Sequence, residues 1–69
     1  MTKVVIFANG KAVQVGEGIT VSLLAEQLKL PARMILTELN GEVLPREAWA
    51  SKALHHGDRI EFVRVVAGG

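Results

Sequence analysis

Lys3-Val4-Val5-Ile6-Phe7-Ala8-Asn9-Gly10-Lys11-Ala12-Val13-Gln14-Val15 decides the fold. Two runs of β-branched and aromatic residues flank an Asn-Gly pair. A two-residue type I′ turn needs positive φ at both central positions, which Asn and Gly tolerate best. The stretch therefore reads as a β-hairpin. The same signal returns at Asn40-Gly41, between the β-prone run Met34–Leu39 and Glu42-Val43-Leu44. Two hairpins frame whatever lies between them.

Between them lies a helix. Gly16-Glu17-Gly18 breaks the strand, and Thr20 stands where an N-cap belongs, its hydroxyl free to accept from an amide of the first turn. Val21, Leu24, Ala25 and Leu28 then fall at i, i+3, i+4 and i+7, one face of a helix of two to three turns. Leu23 lies beside that stripe and can widen it. Pro31 is read as the stop, since the residue before a proline is pushed towards extended backbone. So short a helix needs a sheet to pack on.

After the second hairpin, Pro45 cannot donate to a strand ladder. Ala48, Trp49, Ala53 and Leu54 are unevenly spaced, so Arg46–Leu54 reads as irregular or 3₁₀ turns. His55-His56-Gly57-Asp58 is a turn, and Arg59–Val66 is the last strand. The order is ββαββ(3₁₀)β. One amphipathic helix covers one face of a sheet, giving a two-layer α+β domain. We expect it over residues 1–66, followed by a flexible tail, Ala67-Gly68-Gly69. In Thr37 the third strand carries a polar residue among aliphatic ones, though threonine is a good β former.

In the last strand Ile60, Phe62 and Val66 share one face, with Arg64 between them, while Glu61, Val63 and Val65 share the other. With Ile60 and Phe62 against the helix, Val63 and Val65 lie on the open face. They read either as ordinary exposed apolar residues or as a docking patch. Trp49 reads either as a plug of the sheet's corner or as an interface anchor. Arg46 is a surface charge or a group that steers an acidic partner.

Composition excludes much. Sixty-nine residues make one small domain, and the core must come from the 49% hydrophobic content. With no cysteine there are no disulfides, no thiolate metal sites and no thiol on which to carry sulfur or acyl groups. Eight basic residues against seven acidic ones, scattered, give no footprint for nucleic acid. No apolar run approaches a membrane span, and no signal-peptide pattern opens the chain, so the expected address is cytoplasmic. His55 and His56 are adjacent in a turn and lack further ligands, so they read as a solvated pair, and no metal site is expected. Ser22 and Ser51 have no base or elbow motif. Gly16-x-Gly18 lacks the rest of a phosphate loop. The carboxylates are dispersed, and no catalytic residue is identified.

The Gly68-Gly69 ending is left. It reads either as a frayed end or as a working tail. Without Cβ atoms it can thread a narrow slot, and the α-carboxylate of Gly69 is unhindered. A carboxylate becomes an acyl donor once a partner turns it into a mixed anhydride with AMP. A sulfur nucleophile can then displace AMP and leave a thiocarboxylate.

Element order and ending together resemble the ubiquitin-like β-grasp family, and within it the ThiS family of small sulfur carriers of thiamine biosynthesis. The match rests on Leu39-Asn40-Gly41-Glu42-Val43-Leu44-Pro45-Arg46-Glu47 with Trp49, on Gly57-Asp58-Arg59-Ile60-Glu61, and on Val65-Val66-Ala67-Gly68-Gly69. Gly18, Val21, Leu23 and Leu24 fit less tightly. The resemblance implies a mixed sheet of five (or four) strands on one helix, with the first and last strands parallel neighbours. It implies a carrier that is not an enzyme and holds no cofactor of its own. A separate ATP-using adenylating and sulfur-transfer enzyme would activate Gly69, and the sulfur would pass to thiazole synthase. Neighbouring readings are the small subunit of molybdopterin synthase, another ubiquitin-like carrier or modifier, and a non-reactive interaction module. Thr37 departs from the aliphatic residue the family pattern leads one to expect, which bears on packing.

Overall fold

The computed structural model describes residues 2–65. The elements are β1 (Lys3–Ala8), β2 (Lys11–Gly16), α1 (Val21–Gln27), a 3₁₀ turn (Ala32–Met34), β3 (Ile35–Leu39), β4 (Glu42–Leu44), a second 3₁₀ turn (Arg46–Ser51) and β5 (Arg59–Arg64). The expected boundary between residues 1–66 and the tail falls outside the described residues. The five strands form one mixed sheet in the order β2-β1-β5-β3-β4. The β1–β5 pair is parallel and the other pairs are antiparallel. A five-stranded sheet on one helix is thus what forms.

Both Asn-Gly pairs make the expected turns, with φ of 51° and 83° at Asn9 and Gly10 and 52° and 86° at Asn40 and Gly41. Thr20 caps α1, its Oγ1 accepting from the Leu23 N–H at 3.1 Å. Val21, Leu24 and Ala25 are buried as the stripe requires, but Leu28 and Leu23 are exposed. The cause lies at the helix end. Leu28 is already the C-cap, and Lys29 takes φ 58°. The Lys29 N–H donates to the Glu26 carbonyl and the Leu30 N–H to the Ala25 carbonyl. This is a Schellman motif built on a lysine where glycine is usual. The helix therefore ends at Gln27, four residues before Pro31, and the stripe never reaches its fourth position. Likewise Met34 belongs to the 3₁₀ turn and not to β3, and β5 ends at Arg64, before the expected Val66.

Sheet, helix and second 3₁₀ turn enclose one core. Val4, Ile6 and Val15 come from the first hairpin, Ile35, Leu39, Ile60 and Phe62 from β3 and β5, and Trp49 and Leu54 from the connection. Trp49 is buried, so it is a plug. Its ring meets Phe62 edge-on at 6.3 Å and 72°, and its Nε1–H donates to the Leu44 carbonyl at 3.4 Å. Thr37, expected to disturb packing, is 1% exposed, and its Oγ1 has no hydrogen-bond partner.

The central strand is held from both sides by the hairpin asparagines. Asn9 Nδ2 donates to the Phe62 carbonyl at 3.1 Å, and the Phe62 N–H donates to Asn9 Oδ1 at 2.8 Å. On the opposite flank the Arg59 N–H donates to Asn40 Oδ1 at 2.9 Å, while Asn40 Nδ2 donates to Asp58 Oδ1 at 3.1 Å. The Asn9 amide imitates one more residue of strand, while the Asn40 amide joins the start of β5 to the Asp58 carboxylate. The 55–58 turn finishes the β1 edge: the Val5 N–H donates to His56 Nδ1 at 3.1 Å and the Gly57 N–H to the Val5 carbonyl at 2.8 Å. His56 thus has a backbone to satisfy, which its reading as one of a solvated pair did not anticipate.

Candidate functional site

The face of the sheet away from α1 is open, and its layout follows from strand alternation. Buried and exposed residues alternate along Ile35–Leu39 and along Arg59–Phe62. Register then sets which exposed residues meet. Leu36 lies opposite Val63, and Glu38 lies opposite Glu61. On the outer side Val43 of β4 pairs with Glu38, and on the inner side Phe7 of β1 pairs with Arg59.

The open face therefore has three rows. The row nearest the chain's end is apolar: Leu36 is 56% exposed, Val63 50%, and Val65 follows. The Val65 N–H donates to the Met34 carbonyl at 2.7 Å, so backbone pairing with this side of the sheet runs one residue past β5. The middle row is Val43, Glu38 and Glu61. The third holds Arg59 and Phe7.

Val63 and Val65 stand where the sequence placed them, on the open face. Leu36 and Val43 were not singled out, although alternation about Ile35 and Thr37 turns Leu36 outward. Only the β3–β5 register shows that it meets Val63. Arg46 is not brought to this row by any contact. Its Nη2 donates to the Arg33 carbonyl at 3.2 Å, tying the second 3₁₀ turn to the first. The tail positions Ala67, Gly68 and Gly69 lie outside the described residues. Among the described residues no group of three or more His, Cys, Asp or Glu side chains is placed to hold a metal ion. No helix among them is long and apolar enough to cross a membrane.

Comparison with known proteins places this architecture. The model of the ThiS family matches residues 2–69. The sulfur carrier protein ThiS of Escherichia coli (strain K12) is 38% identical over 64 residues, covering 93% of this chain and 97% of that protein. A thiazole synthase of Paramagnetospirillum magneticum is 33% identical over 61 residues, 88% of this chain but 19% of that longer protein. The crystal structure of the thiamine biosynthesis protein ThiS from Geobacter metallireducens superposes with a TM-score of 0.83 at 38% identity. That match covers 94% of this chain and 99% of the other. The solution structure of a thiamine biosynthesis protein from the same organism gives 0.76, over 94% and 87%. A family match over nearly the whole chain, a carrier of nearly the same length and the same β-grasp sheet agree: the chain belongs to the ThiS family, a sulfur carrier of thiamine biosynthesis and not itself an enzyme.

Proposed function

We propose that the sulfur is carried on the C-terminal carboxylate of Gly69. One carboxylate oxygen attacks the α-phosphorus of ATP on a partner enzyme. This gives an acyl-adenylate and releases pyrophosphate. A sulfide equivalent then attacks the acyl carbon, AMP leaves, and the product is a C-terminal thiocarboxylate. The chain contributes a grip and a tail, and needs no cofactor of its own, since ATP belongs to the activating enzyme. The acceptor is thiazole synthase, in the cytoplasm. The Paramagnetospirillum magneticum protein supports that assignment, because a protein named thiazole synthase contains a segment similar to this chain.

The observation that carries the reading is the exposed apolar row Leu36–Val63–Val65, which lies at the end of the sheet where the chain runs on towards residues 66–69. A partner that covers this row has the tail within reach. Residues 67–69 serve as the segment that enters the partner's site, and Arg46 serves at the rim.

The test is the intact mass after incubation with ATP, a sulfur donor and the activating enzyme of the same organism. The expected result is a gain equal to one sulfur replacing one oxygen, absent from a chain lacking Gly69. An unchanged mass with an enzyme that is active on another carrier would refute the assignment.

A further inference from the structure

The middle row of the open face carries an arrangement the fold alone does not explain. Glu38 and Glu61 are direct cross-strand partners, both exposed, with Cβ atoms about 5 Å apart by strand geometry. Like charges in that position repel and oppose pairing of β3 with β5. Among the described residues neither carboxylate is ion-paired. Arg59 lines the same hollow of about 180 Å³, with Glu38, Glu61 and Gly41, but does not bridge the two. The hollow adjoins the apolar row Leu36–Val63 on one side and Val43 on the other. An apolar strip bordered by two carboxylates that no ion pair engages among the described residues is complementary to an apolar strip bordered by a cation.

Resting on the docking reading above, we propose that the partner surface gripping this face places an arginine or lysine between Glu38 and Glu61, beside an apolar patch that covers Leu36 and Val63. A guanidinium suits the site better, because its planar fork can donate to two carboxylates at once. The repulsion present in the free carrier then becomes attraction in the complex and is restored on release. The pair thereby contributes selectivity as well as affinity, since a partner without the cation leaves two carboxylates desolvated and unpaired.

The probe is the purified ATP-dependent activating enzyme of the same organism. Its affinity for the full chain is measured by titration calorimetry alongside the mass assay. Glu38→Gln with Glu61→Gln should weaken binding roughly tenfold or more. Glu26→Gln with Glu42→Gln removes the same charge from exposed positions, on the helix and on the helix-side face of β4, and should change binding by less than about twofold. The free Glu38/Glu61 double variant should melt about 2–4 °C higher than the wild type. Unchanged affinity of the Glu38/Glu61 variant, equal losses in both double variants, or a lower melting temperature would each overturn the proposal. If wild-type carrier still gains sulfur in those cases, the carrier assignment stands without it. If wild type neither binds nor gains sulfur, the carrier assignment fails and this proposal falls with it.

Discussion

Replacing Asn9 with glycine separates two jobs the residue performs. Glycine accepts the φ of 51° at least as well as asparagine, so the turn itself is not disturbed. What is lost is the amide and its two hydrogen bonds to the main chain of Phe62, at 3.1 and 2.8 Å in a partly buried position. Each such bond contributes about 0.5–1.5 kcal/mol net, and leaving the Phe62 groups unpaired adds part of their desolvation cost. Relief of the left-handed backbone favours the variant by up to about 1 kcal/mol, and the greater freedom of glycine in the unfolded chain offsets that by about 0.5–1 kcal/mol. The balance is a loss of about 2 kcal/mol, roughly 8–16 °C in melting temperature for a domain of this size. Urea unfolding followed by circular dichroism measures it, and an unchanged m value shows that the surface exposed on unfolding is the same in both proteins. Lys29→Gly is the comparison, because Lys29 also has positive φ but serves only as a helix terminus. That variant should be neutral or more stable by up to about 1 kcal/mol. If Asn9→Gly behaves like Lys29→Gly, the amide brace contributes nothing and asparagine is present for its φ alone.

Other substitutions have equally definite outcomes. Thr37→Val keeps the shape of a fully buried side chain and removes an orphan hydroxyl, so it should raise stability by about 1 kcal/mol by urea unfolding; a loss would show the hydroxyl is satisfied. Trp49→Ala empties the corner between Phe62 and the second 3₁₀ turn and should cost about 3–5 kcal/mol. That is a large share of the roughly 3–10 kcal/mol expected for 69 residues, and a stability within 1 kcal/mol of wild type would contradict the core assignment. Val63→Asp sits on the open face, so it should leave the melting temperature within a few degrees while slowing sulfur loading by the activating enzyme at least tenfold. Unaltered loading would remove Val63 from the docking surface.

What could be read in advance was what local chemistry decides. Asn9-Gly10 and Asn40-Gly41 specify their turns through φ, and Val21, Leu24 and Ala25 specify a helix face through spacing. The end of that helix was hidden because its terminal signal is a lysine in a glycine position, and Pro31 was the more visible stop. Leu36 was hidden for a different reason. Its outward direction follows from alternation, but its meeting with Val63 exists only once β3 and β5 are in register, across more than twenty residues of intervening chain. The same holds for both asparagine amides, whose partners in and beside β5 are set by topology. Arg46 was read as a surface charge or a steering group, and its hydrogen bond to the Arg33 carbonyl, thirteen residues away, is a contact that only the folded chain shows.

The place of β5 also bears on the order in which the molecule can assemble. It is the last strand in sequence and the middle strand in space, and within the sheet the two hairpins meet only through it. Each hairpin closes through contacts a few residues apart, whereas β1–β5 pairing spans some fifty residues, the slow kind of contact. Until Arg59–Arg64 is made and seated, Ile60 and Phe62 are missing from the core and the hairpins have no shared edge. A chain cut short before β5 would remain two loose ribbons, open to proteolysis. A folded carrier is therefore one whose synthesis has already run to the threshold of its tail.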